Sequence, residues 1–510
     1  MSGTKPTTER TQNARIQLAI RALLASTALV AFCPSAGLAA DGDIEARVDA
    51  LEAKLDRILD RLEAQDASLT AAEKTTLKDA AYAISNSAAA PNAKASVIQN
   101  AAYTVPDAGT PRPILAELDT PGGVSAQAQA DRDAIPAKER PKRKGLGFSA
   151  GDVDFTFKGY VKLDATVTRF SDGDLPTSNI GRDFYIPSLV PVGGEGNGAD
   201  FDFNPRETRF LFAVDTERGG HDIGGLIELD FQVTSDGNER VSNSFTPRMR
   251  QAYVTIDNWL IGQAWTTFQD VGALPDNLDF IGPTEGTVFI RQPMIRYTKG
   301  PFQIAIEQPE TEVTGPAGER LLPGDDIAPD VVLRYNKKGD WGHVSLAGIL
   351  RALHSEEDMM AGAMEDTALG FGVSASGKLK VGARDDFRFM ATYGEGIGRY
   401  IGVNIVNDAA IQTNGELQTI ATYSGFASYR HFWTKNLRSN LTGGFFKADN
   451  PVSLTGDGVT DEVYSVHANL IYTPIEKFDV GVEYIYANRR LEDGQEGNMN
   501  RVQFSTKYSF

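Results

Sequence analysis

Basic side chains recur at alternating positions through the C-terminal two-thirds of the chain, between apolar neighbours. Arg209, for example, lies one residue before Phe210 and three before Phe212. Successive side chains of an extended strand point to opposite faces, so this spacing places basic and apolar groups on different faces. A guanidinium group binds carboxylates through two parallel hydrogen bonds, so the chemistry expected of this face is recognition of anions. The basic residues assigned to it are Lys158, Lys162, Arg209, Arg250, Arg296, Arg334, Arg351, Arg388, Arg430, Arg438, Arg501 and Lys507.

Fewer acidic residues alternate onto the same face, which leaves two interpretations of the basic ones. If the face lines a channel, an excess of basic groups raises the local concentration of anions there. Alternatively, the arginines pair with the acidic residues and stiffen the wall. The acidic residues assigned to this face are Asp154, Asp164, Glu207, Asp215, Glu228, Asp230 and Glu483.

The element that must carry these residues is a long β-strand that repeats. The first strand, 153–170, is about three times the usual length of a strand in a soluble sheet. A strand that crosses a membrane needs about 9–11 residues plus its rims. The predicted strands cover 153–170, 206–217, 221–234, 246–257, 259–268, 292–298, 301–309, 328–337, 341–352, 367–379, 385–394, 416–431, 436–447, 461–473, 477–489 and 500–510.

Seven tight turns alternate with eight longer loops between these sixteen strands. A membrane barrel shows this alternation when both of its chain ends lie on the same side of the membrane. Closure of the sheet also gives every strand edge a hydrogen-bonding partner. We therefore predict an all-β fold, a 16-stranded antiparallel transmembrane β-barrel over residues 151–510.

The residues before the barrel divide into three segments. Residues 1–40 combine a basic start, a short apolar run over 22–32 and small residues at 36–40, which is typical of a signal peptide. Residues 41–79 repeat apolar residues at gaps of four and three, which predicts a periplasmic coiled coil without deciding between a dimer and a trimer. Residues 80–150 form an Ala/Pro-rich linker. The seam of the predicted coiled coil is Ile44, Val48, Leu51, Leu55, Ile58 and Leu62.

Several barrel segments resemble the DcaP-like trimeric outer-membrane porin family. The resemblance implies a homotrimer with an N-terminal coiled coil, in the outer membrane of a Gram-negative bacterium. It also implies passive diffusion of small hydrophilic, mostly anionic solutes such as dicarboxylates, with lipid and lipopolysaccharide as further partners. The segments are GYVKLDA at 159–165, RETRFLF at 206–212, RQAYV at 250–254, NWLIGQAWTTF at 258–268, LDFIGP at 278–283, RQPMIRY at 291–297 and YGEGIGRYI at 393–401.

The loop 269–291 follows the fifth strand, where general porins fold a constriction loop into the pore. It carries the acidic residues Asp270, Asp276, Asp279 and Glu285. Opposite a basic wall they would create a transverse field, but the sequence leaves open whether this loop enters the barrel.

Other functions have weak support in the sequence. The net charge of −18 makes nucleic acid an improbable partner, and five scattered histidines lack metal-ligand spacing. Gly147–Gly151 matches the nucleophile-elbow pattern and Gly372–Lys378 most of a phosphate-binding loop, but neither sits between a strand and a helix. We expect no enzyme and no cofactor; the alternatives are an envelope anchor or adhesin, and then a barrel enzyme.

Overall fold

The structure, a computed structural model, describes residues 146–510 except 178, 197, 234–241, 316–317, 325, 356–364 and 413. The predicted signal peptide, the coiled-coil seam and most of the predicted linker lie outside these residues. None of the helices within the described ranges is long and apolar enough to cross a membrane.

Sixteen antiparallel strands form one closed barrel, which confirms the predicted fold class. The strands are β1 (Val153–Phe170), β2 (Arg209–Arg218), β3 (His221–Asp230), β4 (Arg248–Ile256), β5 (Trp259–Trp265), β6 (Arg291–Lys299), β7 (Phe302–Glu307), β8 (Asp330–Gly339), β9 (Gly342–Ser355), β10 (Asp366–Val381), β11 (Asp385–Glu395), β12 (Ala421–Phe432), β13 (Leu437–Asp449), β14 (Thr460–Ile475), β15 (Phe478–Leu491) and β16 (Glu496–Ser509).

The barrel closes where β1 pairs with β16, from Tyr160 opposite Ser509 to Phe170 opposite Met499. On its other side, β1 pairs with β2 from Val153 to Tyr160, and the strand Asp200–Asn204 continues that pairing from Asp164 to Thr168. The strand Leu146–Ala150 folds back on Val153–Phe157, beyond the last residue of β16. Because of this closure, the backbone groups of β1 have hydrogen-bonding partners on neighbouring strands, as the apolar part of a membrane requires.

Short elements lie in the connections between barrel strands. They comprise the helices Ile180–Asp183 and Val452–Thr455, the 3₁₀ turns Pro187–Leu189, Val271–Ala273, Thr284–Gly286 and Gly398–Tyr400, and the strands Val313–Thr314, Arg320–Leu321, Ala409–Ile411 and Leu417–Thr419.

Alternation along the strands separates an outer apolar wall from an inner polar one. On β1, Val161 and Leu163 are exposed, whereas Lys162 and Asp164 between them are buried. Exposed apolar residues recur on the same outer face around the barrel, which is the surface expected to contact lipid.

Three predicted strand ends are wrong for one reason, which is that the chain leaves the wall earlier, or joins it later, than the apolar pattern suggests. β3 ends at Asp230 rather than 234, and β5 ends at Trp265 rather than 268. β12 begins at Ala421 rather than 416, because residues 396–411 pack inside the barrel. Alternation cannot distinguish a wall residue from a buried residue of an inserted loop.

A phenylalanine cluster covers the outside of the closure. The Phe157 ring centroid lies 4.9 Å from that of Phe212 and 5.2 Å from that of Phe510, the last residue. Phe210 also contacts Phe510, at 6.3 Å. These rings join β1, β2 and the C-terminus just where the two ends of the barrel meet.

We predict that Phe510→Ser destabilises the closed barrel, because each aromatic pair contributes roughly 0.5–1.5 kcal/mol beyond its buried area. The temperature at which the folded, fast-migrating band converts to the unfolded band on a detergent gel should fall by several degrees. Phe510→Tyr keeps the ring and should preserve the wild-type temperature. Equal temperatures for the serine variant and wild type would contradict this role of the cluster.

Candidate functional site

The connection between β5 and β6, residues 266–290, lies inside the barrel. All 25 of its residues are buried, and its side chains and backbone form hydrogen bonds with strands from β7 to β16. The chain turns inward after Trp265 because Glu307 on β7 accepts from Thr266 Oγ1 at 2.6 Å and Thr267 N at 2.7 Å. The question left open by the sequence is thus answered: this segment, here named the inner loop, enters the lumen.

The first anchor of the inner loop is Asp270. Its carboxylate accepts from Arg334 Nη2 at 2.9 Å and Ser376 Oγ at 3.0 Å, and lies 2.9 Å from His343 Nε2. Arg334 also donates to the backbone oxygen of Gln269 at 2.7 Å. Side chains from β8, β9 and β10 therefore hold one end of the loop.

The second anchor is Asp276, which lies between two arginines. Arg438 Nε donates to its Oδ2 at 2.8 Å and Arg430 Nη1 donates to the same oxygen at 3.1 Å. Arg430 also pairs with Asp386, and Arg438 with Asp479 at 3.3 Å. The acidic residues at 270 and 276 contact basic wall residues directly instead of facing them across open water.

The third anchor joins the inner loop to β14 and β15. Leu278 N donates to Glu483 Oε2 at 2.6 Å, and Ser465 Oγ donates to Glu285 Oε1 at 2.5 Å. Close packing here depends on Gly444 of β13, since a Cβ at this position would collide with the Glu285 carboxylate. Asp279 points elsewhere, accepting from Tyr185 N of the β1–β2 connection at 2.9 Å.

Residues 396–411, from the connection between β11 and β12, also lie inside the barrel. Arg351 of β9 bridges Asp330 at 3.1 Å and Asp408 at 2.7 Å. The Tyr400 hydroxyl donates to Asp330 Oδ2 at 2.6 Å. Ile397, Tyr400, Ile401, Ile405 and Val406 join Phe268 and Val288 of the inner loop in one apolar cluster, so the two connections pack on each other.

Basic side chains exceed acidic ones on the wall from β2 to β6. Arg250 lies 2.5 Å from Asp230 and 3.3 Å from Glu228, and Arg248 lies 2.8 Å from Asp230. Arg209 is 3.5 Å from Glu228 and 3.8 Å from Asp230. These groups and Arg291, here named the arginine cluster, place four guanidinium groups against two carboxylates.

Arg291 differs from Arg209, Arg248 and Arg250, each of which pairs with a carboxylate, because its contact within the described residues is with an aromatic face. It is 1% exposed, its guanidinium carbon lies 4.8 Å from the Trp265 ring centroid, and Nε and Nη1 have no hydrogen-bond partner in the described residues. No carboxylate within those residues lies within 4.0 Å of it. A buried cation held by an aromatic ring alone keeps donor capacity for an anion.

The remaining predicted basic residues are also buried or half-buried. Lys162 pairs with Glu207 and lies 3.3 Å from Asp164; Arg388 pairs with Asp386 at 2.7 Å. Arg501 instead donates to Thr168 Oγ1 at 2.8 Å and to the Gly181 oxygen at 2.6 Å. Lys158 and Arg296 are buried on the same inner face, and Lys507 is half-buried there.

Sequence reasoning missed members of both charge classes. Arg291 lies four residues before Ile295, which is exposed, so strict alternation along β6 would place Arg291 on the outer face. Arg248 was missed although it alternates onto the same face as Arg250, two residues further along β4. The acidic partners missed were Asp330, Asp386, Asp408 and Asp479.

Comparisons with known proteins agree with this geometry. The family profile of the DcaP outer membrane protein matches residues 211–510, more than half of the chain. The chain belongs to the DcaP outer membrane protein family.

Solved structures extend the likeness to the fold. The outer-membrane channel DcaP of Acinetobacter baumannii is 24% identical, with a TM-score of 0.60 over 72% of this chain and 100% of that one. OmpF of Salmonella typhi, solved with daunomycin, and outer-membrane-expressed OmpT of Vibrio cholerae are 11% and 10% identical, with TM-scores of 0.44 and 0.43. Each likewise aligns over 72% of this chain and 100% of its own. No curated protein matches the chain. Family membership makes this protein an outer-membrane barrel of a porin family, in a Gram-negative envelope.

The connection 308–329 of this DcaP-family barrel carries a titratable carboxylate. Burial, together with repulsion from Asp326, Glu312 and Asp408, raises the pKa of Glu310 to about 7, although Arg399 acts in the opposite direction. Near neutral pH this carboxylate is therefore partly protonated, which lowers the negative charge of the connection.

We predict that Asp276→Asn loosens the inner loop of this DcaP-family protein and makes its lumen more positive. Arg430 and Arg438 would lose the charge they share, at a cost of roughly 1–3 kcal/mol. The gel transition temperature should fall, and the Cl⁻/K⁺ permeability ratio should rise. Asp457→Asn, at an exposed loop position, is the control and should change neither. A lower ratio in Asp276→Asn would contradict the arrangement of charges around the second anchor.

Proposed function

We propose that this protein is a porin that gives passive diffusion of small hydrophilic solutes and favours anions such as dicarboxylates. The arginine cluster carries this proposal, because there, among the described residues, four guanidinium groups lie against two carboxylates. Uncompensated buried charge of one sign concentrates the opposite ion.

The rest of the basic wall supports a more local selectivity than the sequence suggests. Arg334, Arg351, Arg430 and Arg438 each pair with at least one carboxylate at 3.3 Å or less. Paired charges exert a weaker field at a distance than isolated ones do. We therefore assign anion preference to the wall from β2 to β6. The role assigned to the paired arginines is to fix the connections that narrow the lumen.

The aromatic surroundings of the cluster favour carboxylates as ligands. The guanidinium carbon of Arg250 lies 5.9 Å from the Trp265 ring centroid and 5.6 Å from that of Phe280; Arg209 lies 5.8 Å from Phe280. Rings fix the planes of these groups and leave their edges to donate hydrogen bonds. A solute with two carboxylates could bind two such forks in succession, which is the reason for naming dicarboxylates.

The assembly proposed is a homotrimer joined in the periplasm by the coiled coil of residues 41–79. The apolar seam from Ile44 to Leu62 supports the coiled coil. The resemblance of the barrel segments to a family of trimers supports the number of subunits. The alternative of an envelope anchor or adhesin lacks a corresponding observation inside the barrel, where the charge imbalance has no mechanical purpose.

We predict that Arg291→Gln lowers the Cl⁻/K⁺ permeability ratio by about two- to fivefold, which corresponds to ~0.5–1 kcal/mol of lost attraction in a screened lumen. The measurement is the reversal potential of purified protein in planar bilayers under a KCl gradient. Three coupled conductance levels in the same recordings would support the trimer.

The matched control for that variant is Arg218→Gln, which removes a charge from an exposed residue at the β2–β3 turn. It should keep the wild-type ratio. Cation preference in the wild type, or the same shift in both variants, would reject the arginine cluster as the origin of selectivity. Absence of any conductance would favour the anchor.

A further inference from the structure

Ser465, His467 and Glu483 form a row of hydrogen bonds beneath the inner loop. Ser465 Oγ lies 3.1 Å from His467 Nε2, and His467 Nδ1 lies 3.2 Å from Glu483 Oε1. The serine is 1% exposed, and the other two are fully buried. Because β14 and β15 are antiparallel neighbours and all three side chains point inward, the row lies on the inner wall.

The order serine–histidine–carboxylate is that of a hydrolase triad, but the surroundings exclude this chemistry for the conformation described. The Ser465 hydroxyl is 2.5 Å from Glu285 Oε1, and it donates its proton there whenever that carboxylate is ionised. Its oxygen is covered by the inner loop, so no substrate carbonyl can approach it.

The hydrogen bonds of this row require one more proton than a serine, a neutral histidine and two ionised glutamates carry together. With the serine proton on Glu285, the contact to Ser465 needs a proton on Nε2 and the contact to Glu483 needs one on Nδ1. The alternative arrangement has a protonated Glu285 donating to Ser465 and the serine donating to Nε2. Both contain the same extra proton, shared between Glu285 and His467.

The same row connects two separate parts of the inner loop. Glu483 accepts from Leu278 N at 2.6 Å and from Asn277 Nδ2 at 3.2 Å, and Ser465 binds Glu285 seven residues further on. Asn469 also donates to Glu483 at 2.8 Å. Loss of the shared proton would therefore break a contact that both parts of the loop depend on.

The charges around the row make that loss disruptive. The inner loop contributes Asp279 and Glu285, β15 contributes Glu483, and the β1–β2 connection contributes Tyr185, whose ring centroid lies 5.9 Å from that of His467. Arg501 of β16 attracts the Asp279 carboxylate. Without the shared proton, three buried carboxylates would face a neutral imidazole.

Movement of the loop at this place would change the lumen. Between the inner loop and the wall, next to Leu278, lies a cavity of about 20 Å³ lined by Lys162, Glu207, Asn277, Arg438 and Lys507 among others. Such a volume holds about one water molecule. Release of Leu278 from Glu483 would widen it.

We propose that Ser465 and His467 position the inner loop by holding a shared proton, and that loss of this proton releases the loop and opens the lumen further. The loop is held on the acidic side, where the proton is bound, and released as pH rises. Conduction by the barrel is assumed, but anion preference is not.

The test is single-channel recording of the full-length protein from about pH 5 to about pH 9. We expect the frequency of transitions to a larger conductance to rise about tenfold or more across this range, as loss of one hydrogen bond to a charged group implies. In Glu285→Gln the side-chain amide donates to Ser465, the serine donates to neutral His467, and the pH dependence should disappear with the loop held.

Two variants separate positioning from general stability. His467→Gln should show frequent transitions at every pH, as should Gly444→Val, whose side chain displaces Glu285. His354→Gln removes another buried histidine of the inner wall, one that contacts Thr311 and Thr367 rather than the inner loop, and should keep the wild-type pH profile. A wild-type profile in His467→Gln, or a wild type without pH dependence, would overturn the proposal.

A non-conducting protein would refute the proposed porin function without ending this test. Hydrogen exchange of the backbone amides of residues 274–287 in detergent then replaces the recordings. Faster exchange at high pH than the intrinsic rate predicts, abolished in Glu285→Gln, would support the shared proton. The same relative protection at every pH would overturn it.

Discussion

Closure of the hydrogen-bond ladder between β1 and β16 is the constraint on which the rest of this molecule depends. Lipid offers no partner to a backbone amide, so a sheet in the membrane must end where it began. Closure then encloses a lumen whose walls carry every second side chain. Those side chains are out of contact with lipid and partly out of contact with water, so each charged one needs a partner from the same or a neighbouring strand, or from a connection that enters the barrel.

The inner loop supplies much of that compensation. Asp270 and Asp276 are placed among four basic or potentially basic groups, and Glu483 and Ser465 of the wall hold the loop in turn. Removing one partner of a buried ion pair leaves the other charge uncompensated, which is why such pairs fix geometry even where their net stabilisation is small. The basic wall from β2 to β6 is less fully compensated. The carboxylates of the inner loop pair with one part of the basic wall and thereby narrow the lumen. The wall from β2 to β6 has fewer carboxylate partners and keeps an excess of positive charge.

The strand pattern could be predicted from the sequence because a period of two is forced on every wall strand. All sixteen strands were located, and most of the assigned basic residues proved to be inward and buried. What alternation could not give was the destination of residues that leave the wall. Residues 266–290 and 396–411 are as apolar as strands, yet they fill the lumen. Arg291 was missed because it stands at the point where the chain re-enters the wall, and its burial depends on Trp265 and the inner loop rather than on strand parity.

The contacts of the inner loop with both ends of the barrel bear on how the chain assembles. The Leu278 oxygen accepts from Lys162 Nζ of β1 at 2.7 Å and from Gln503 Nε2 of β16 at 2.9 Å, across separations of 116 and 225 residues. Neither donor is in place until the first and last strands have met. Contacts so distant along the chain form slowly, since long stretches must be ordered before they are made. The loop is thus seated in the same event that joins the ends of the sheet, and a barrel that closes without it would enclose arginines that have lost their counter-ions. Substitutions that disturb the inner loop would therefore impair assembly of the barrel, before conduction by the finished channel comes into question.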